Sequence, residues 1–197
     1  MPRAGLNTSD VVAAGAELAD EAGIAAVTLA ALAERLGVKA PALYKHVESI
    51  GDLQHRIATL AMTEFGDALR DTLQGKSGRH AICALFEAMQ SYVATHPGRY
   101  SAVNAEPLRG SNDPLFAATS RVIDSIRAVL SGYGIAADEL DHTIRMVRCT
   151  LHGYALLQAA DAFHWNNDPD ETVAWMIRFF DLGLTAIGGS LLEPVRR

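Results

Sequence analysis

The sequence predicts an all-α protein of about nine helices, and three observations carry that prediction. Apolar residues recur at three- and four-residue intervals along most of the 197 residues, which is the helical period. The two-residue Val/Ile/Thr alternation of strands is absent, and helix formers dominate. Capping residues, glycines and prolines fall where those periodic runs begin and end. With 49% hydrophobic residues the chain can bury a sizeable core. The boundaries suggest a three-helix domain over residues 1–55 and a larger helical domain over 56–197.

Each element has its own local signal. Asn7 and Asp10 have capping-box spacing for a first helix, with Val11, Ala14, Leu18 and Ala22 inward and Gly23 as its stop. Thr28 caps a second helix carrying Leu29, Leu32, Ala33 and Leu36 at helical spacing. Gly37-Val38 makes a turn, because glycine accepts the left-handed backbone that ends a helix. A third helix runs from Lys39 or Ala40 to Val47, with Pro41 in its first turn, where a missing N–H costs nothing.

Ser49 and Asp52 start a long fourth helix through Leu53, Ile57, Leu60, Ala61, Phe65 and Leu69, and the polar segment from Gln74 to Gly78 breaks it. The fifth helix ends at His96-Pro97, and a short sixth spans about Arg99 to Ala105. Asp113-Pro114 opens the seventh, which stops at Gly132-Tyr133-Gly134. The eighth covers roughly Ala137 to Ala162. Asp168-Pro169-Asp170-Glu171 starts the ninth, which reaches about Gly188.

Two short helices joined by a glycine turn are the grammar of a helix-turn-helix. Leu43 and Val47 point inward, which leaves Lys39, Ala40, Ala42, Tyr44, Lys45 and His46 outside. Small, aromatic and basic residues on a small helix are what a DNA major groove accepts.

The spelling of this stretch resembles one family, the TetR-type bacterial transcriptional regulators. The resemblance rests on Gly23, Thr28, Leu32, Ala33, Leu36-Gly37-Val38, Ala42-Leu43-Tyr44, His46-Val47 and Leu53. LGVKAPALYKHV is close to the family's usual LGV-x-x-x-x-LY-x-H pattern, and the likeness covers roughly the first sixty residues. Members usually carry a Lys on a phosphate shortly after this helix; here Ile50 takes that place. Leu151-His152-Gly153, followed by Leu156 and Phe163, is similar to a C-terminal domain of a TetR subset usually marked by Trp-His-Gly, with Leu151 in place of the Trp.

Charge and cysteine use narrow the classes. Net charge is −6, and residues 1–56 hold five Lys/Arg (Arg3, Arg35, Lys39, Lys45, Arg56) against seven Asp/Glu. Counterion release from many basic contacts therefore cannot be the main source of DNA affinity. Helix N-termini, backbone N–H groups and hydroxyls must carry more of it. Cys83 and Cys149 have neither disulfide-framework nor zinc spacing and suit a reducing cytosol. No signal peptide is visible at Met1-Pro2-Arg3, and no apolar run reaches the ~18 residues of a membrane span. A cytoplasmic protein is expected.

The ninth helix is apolar almost all round: Val173, Met176, Ile177, Phe180, Leu184 and Ile187 on one side, Trp175, Phe179 and Leu182 on another. Such a helix must be buried on both faces, so the last two helices are expected to form a four-helix bundle with a second copy. Gly153, Ala155, Ala159 and Ala160 on the eighth helix permit close approach. The same helix has a mixed face of His142, Arg145, Cys149, His152 and Leu156. It reads either as the wall of a ligand cavity or as a solvated or interface face. The candidate effector residues are Phe86, Met89, Tyr92, Arg145, Cys149 and His152.

One constellation suggests other chemistry. Glu139-x-x-His142 has the spacing of a di-iron bundle ligand pair, and Asp161-x-x-His164 is a looser copy, with Asp67 and Glu87 as further carboxylates. The expectation is nevertheless no metal, no cofactor and no catalytic residues. The rival readings are a helical metal-dependent enzyme and an architectural DNA-binding dimer without a ligand.

The expected protein is thus a homodimeric regulator, a repressor on a palindromic double-stranded operator, released by a small-molecule effector. Ala40, Pro41, Ala42, Lys45 and His46 would approach base edges, while Thr28, Lys39 and Tyr44 would fix the register on phosphates. Arg3 would reach the DNA from an arm.

Overall fold

Local capping sets where this chain turns. In the computed structural model, residues 6–164 and 168–189 are described; Arg3 and its expected arm lie outside them. The helices are α1 (Thr8–Ala22), α2 (Leu29–Leu36), α3 (Ala40–Leu43), α4 (Ile50–Leu73), α5 (Gly78–Thr95), α6 (Pro97–Ala105), α7 (Pro114–Ser131), α8 (Ala137–Ala159) and α9 (Pro169–Gly188), with a 3-10 turn at Ile24–Ala26. No strand occurs among the described residues. The all-α prediction holds, with nine helices among those residues.

The caps do what their residue types allow. Asn7 accepts the Asp10 N–H at 2.9 Å while the Asp10 carboxylate takes the Asn7 N–H at 3.3 Å, completing the box at the start of α1. Ser49 Oγ accepts the Asp52 N–H, and the Asp52 carboxylate accepts the Glu48 N–H, one residue before the cap, so two backbone N–H groups are satisfied where α4 begins. Asp113 Oδ1 accepts the Leu115 N–H and fixes the start of α7. Helix α6 starts at Pro97 rather than Arg99, because proline is itself suited to the first helical position.

The chain divides into two compact units. One holds the described residues up to Glu64 together with Ala94–Thr119. Its core is Val11, Ala16 and Ala19 of α1, Leu32 of α2, Leu43, Val47, and Leu53 and Ile57 of α4. In α1 the inner face is Val11, Val12, Ala14, Gly15, Ala16 and Ala19, so the expected Val11 and Ala14 are buried, whereas the expected Leu18 is half-buried and Ala22 exposed. The face is rotated because Gly15 must meet the methyls of Leu53 and Ile57, where an added Cβ would come within 3.3 and 3.1 Å. Helix α6 belongs to this unit, so the unit exceeds the 1–55 segment. It docks on α1 at Gly98, where any Cβ would run into the Ala19 carbonyl.

The second unit comprises Phe65–Val93 and the described residues from Ser120 onward. Phe86, Leu85, Ile82, Leu130, Val147, Leu151, Phe180 and Leu184 fill its core. Phe86 meets Phe180 at 5.7 Å between ring centroids, and Phe65 meets Tyr92 at 5.3 Å. Ile144, Val147 and Leu151 of α8 recur at helical spacing and are buried, while Leu140 and Gln158 on the same face are half-buried. Tyr133 donates from its hydroxyl to Asp181 at 2.8 Å. Burial and that carboxylate both push the phenol well above its ordinary range.

Helix α9 buries Val173, Ile177, Phe180 and Leu184 and leaves the opposite face outside. Trp175, Phe179 and Leu182 on that face are 54%, 59% and 66% exposed, and the Trp175 and Phe179 rings stack at 5.4 Å. On α8, Met146, Leu156 and Leu157 are exposed as well. Gly153 has open space where a Cβ would stand.

Candidate nucleic-acid interface

Thr28 begins the site. Its Oγ1 accepts the Ala31 N–H at 3.1 Å, which leaves the hydroxyl proton to be donated outward from an exposed residue. Helix α2 ends at Gly37, whose φ of 65° is left-handed, and the Val38 N–H then reaches the Ala33 carbonyl at 2.9 Å. That turn delivers Lys39 as the residue preceding α3.

Helix α3 is shorter than its sequence predicts. It ends at Leu43, and Tyr44 to His46 continue as a tight turn in which His46 N–H bonds Leu43 O at 2.8 Å, three residues back. Tyr44, His46 and Val47 are weak helix formers, so the tighter turn competes easily with a further α-turn. Leu43 and Val47 are buried and anchor the segment from inside. Lys39, Pro41, Tyr44 and Lys45 are exposed, and Ala40, Ala42 and His46 are half-buried beside them. Tyr44 is 60% exposed. Ile50, at the first residue of α4, is also exposed.

The electrostatics of this surface are set by internal pairing that the sequence did not reveal. Arg35 bonds Glu21 at 2.7 Å and Glu17 at 3.0 Å, both on α1. Those contacts hold the Arg35 guanidinium above its ordinary range and Glu21 below its own. Arg56 holds Asp52 at 2.9 Å. Among the described residues up to Glu64, Lys39 and Lys45 are therefore the Lys/Arg side chains with no carboxylate partner. Glu17 and Glu21 lie one helical turn apart, which is the one sequence signal for a shared cation, but nothing local names Arg35 as that cation.

A second network braces the unit behind this surface. His55 is 8% exposed, with Nδ1 at 3.0 Å from Glu106 and Nε2 at 2.8 Å from Asp113. Only a doubly protonated ring donates to both. Burial raises the Asp113 carboxyl, but the Arg109 N–H, His55 and the Leu115 N–H outweigh it and hold the group down at about 2. Asp20 similarly gathers Arg99 Nε at 2.9 Å, the Arg99 N–H at 2.9 Å and His96 at 3.1 Å.

Comparison with known proteins identifies this arrangement. The family described as bacterial regulatory proteins, tetR family, matches residues 11–56, and a tetracyclin repressor-like C-terminal domain matches residues 82–180. The chain belongs to the TetR family. It is 29% identical to the uncharacterized HTH-type transcriptional regulator YobS of Bacillus subtilis, over 93% of this chain and 95% of that one. It is 32% identical to the uncharacterized HTH-type transcriptional regulator Rv0681 of Mycobacterium tuberculosis, over 78% and 70% respectively. The crystal structure of BioQ with its double-stranded DNA operator has the same fold, with a TM-score of 0.67 at 19% identity over 92% of this chain and 99% of that one. The chain is thus a TetR-family DNA-binding transcriptional regulator, and the C-terminal match agrees with the Leu151-His152-Gly153 reading.

The remaining candidate residues of this TetR-family chain fall into separate places. Phe86, Met89 and Tyr92 are buried on α5, while Arg145 and Cys149 are exposed on α8 and His152 is half-buried. Burial, then the neighbouring Arg148 charge, lowers the His152 imidazole below its ordinary value. The six residues therefore do not share one surface, and Arg145 instead borders a small hollow with Ile123, Asp141, Ile144 and Arg148. Glu139, His142, Asp161 and His164 are all exposed, so neither metal-type pair faces a helical core. Among the described residues no group of three His, Cys, Asp or Glu side chains is placed to hold a metal ion. No helix among them is long and apolar enough to cross a membrane.

Proposed function

We propose that this regulator is a repressor that binds a palindromic operator as a homodimer and leaves it when a small molecule binds. The observation that carries the reading is the pairing of Lys39 and Lys45, free of carboxylates, with the exposed Tyr44 on one short segment. Residues 1–55 then form the DNA-binding part and 56–197 the effector and dimerisation part. Ala40, Pro41, Ala42, Lys45 and His46 meet base edges in the major groove. Thr28, Lys39 and Tyr44 hold phosphates, Thr28 through its uncommitted hydroxyl proton.

The exposed apolar face of α9 supports the dimer. Three large side chains in water on one face are a cost that a second copy removes, and a two-fold dimer reads a palindrome. The effector is proposed to bind in the second unit. Phe86, Met89 and Tyr92 supply apolar wall, and Arg145, Cys149 and His152 are the candidate polar contacts on α8. Release then requires only that the effector bind better to the conformer that fits the operator poorly.

Fluorescence anisotropy with the chain's own upstream intergenic DNA tests the reading, with random DNA as control. Selective binding of one dimer per palindrome is the expected result. Equal affinity for random DNA refutes it.

A further inference from the structure

The first compact unit contains a cavity of about 650 Å³ between α1, α4 and the ends of α6 and α7. Its volume falls in the range of small-molecule sites. It lies outside the second unit, where the effector is proposed to bind. Its chemistry can be read group by group.

Both cations on the wall already hold carboxylates. Arg56 pairs with Asp52 at 2.9 Å, and Arg99 pairs with Glu64 at 2.8 Å. His55, also on the wall, faces Glu106 and Asp113, so the charged groups there are already paired, and a charged ligand would lose hydration without gaining a partner. The Asp52–Arg56 and Glu64–Arg99 pairs stand about two to three turns apart along α4, roughly 12 Å at 1.5 Å per residue. Between them the surface is apolar, from Val12, Ala13 and Leu60.

The hydroxyls add direction. Three of the four lining hydroxyls have already given their protons to the protein: Thr59 to the His55 carbonyl at 2.9 Å, Thr63 to the Thr59 carbonyl at 2.8 Å, and Ser9 to the Asn7 side chain. What these oxygens present to a ligand is lone pairs. A ligand that approaches Ser9, Thr59 and Thr63 must bring the hydrogens.

We infer that this cavity binds a neutral, largely apolar molecule carrying O–H or N–H donors, of the phenol or aromatic alcohol class. The inference does not depend on the DNA-binding reading, since it rests on the cavity alone. The test is a fluorescence titration of the full chain with trans-4,4′-dihydroxystilbene and, separately, with its dimethyl ether. The two probes share shape and apolar area and differ in their donors. Expected is saturable one-to-one binding of the diol, about tenfold tighter than the ether, from one or two neutral hydrogen bonds.

Two variants locate the site. Thr59→Val with Thr63→Val keeps side-chain shape and removes two acceptors, so the diol should fall to the affinity of the ether. Ala13→Trp, at an exposed α1 position on the cavity wall, should abolish binding of both probes while leaving the thermal midpoint unchanged. Equal affinity of diol and ether for the unaltered chain overturns the inference. So does binding that survives Ala13→Trp, which would place the probe elsewhere.

Discussion

The internal pairing of Arg35 and Arg56 makes the salt dependence of operator binding a quantitative prediction. The chain presents Lys39 and Lys45 as cations with no carboxylate of their own, so the proposed dimer presents four. A lysine at a base edge in the groove displaces condensed counterions as one on a phosphate does, so at about 0.9 counterions for each of Lys39 and Lys45, log K against log salt should have a slope of about −3.6. Arg3 lies outside the described residues and could add two more contacts per dimer, so the measurement is made in an Arg3→Ala background. Removing one lysine by Lys39→Ala or Lys45→Ala should bring the slope to about −1.8. Arg35→Ala should leave the slope unchanged, because Glu17 and Glu21 already hold that guanidinium. The assay is fluorescence anisotropy of a labelled operator from low to moderate salt. A slope steeper than about −6, or one unmoved by either lysine variant, refutes the charge accounting.

Four further outcomes follow from named contacts. Tyr44→Phe should weaken binding to operator and random DNA alike by about 0.5–1.5 kcal/mol, one hydrogen bond per site, and an unchanged anisotropy curve would make Tyr44 a packing residue only. Trp175→Ser with Phe179→Ser should give a folded monomer by light scattering, since both rings are exposed on one chain, and a persisting dimer would move the interface off α9. Gly98→Ala should cost about 1–3 kcal/mol by overpacking against the Ala19 carbonyl, read from urea denaturation. The Asp113 carboxyl sits near 2 when folded, below its unfolded value, so its contribution is complete above about pH 4 and is lost as pH falls toward 2. Asp113→Asn should accordingly flatten the fall of the thermal midpoint over that acid window, and an identical profile would deny the group its role.

Much of this fold is legible because its signals are local. The Asn7–Asp10 box, the Thr28 cap and the Gly37 stop each involve residues within a few positions, so sequence alone places them. The buried stripe of α8 follows from spacing for the same reason. The length of α3 is not legible, because choosing between bonds three or four residues back turns on small differences at Tyr44 to Val47. Nor is the His55 network, whose partners Glu106 and Asp113 lie 51 and 58 residues away. The rotation of α1 is likewise a tertiary fact: Gly15 is inward because Leu53 and Ile57 need the room.

The same distinction explains how a chain of net charge −6 can be a DNA-binding protein. Read as a count, five cations against seven anions in residues 1–56 describe a poor polyelectrolyte ligand for DNA. Read with partners assigned, the count becomes an arrangement. Arg35 neutralises carboxylates on α1, Arg56 neutralises one at the start of α4, and both pairs tighten the scaffold. The two lysines left over lie on either side of α3, Lys39 where a phosphate is proposed and Lys45 among the residues proposed to read bases. Few phosphate contacts mean weak attachment to random sequence, since that attachment is almost wholly electrostatic. Discrimination must then come from base-edge contacts and from hydroxyls with fixed direction, of which Thr28 is one. Acidity in this chain therefore favours selectivity: it lowers the affinity for the competing genome more than it lowers affinity for the operator.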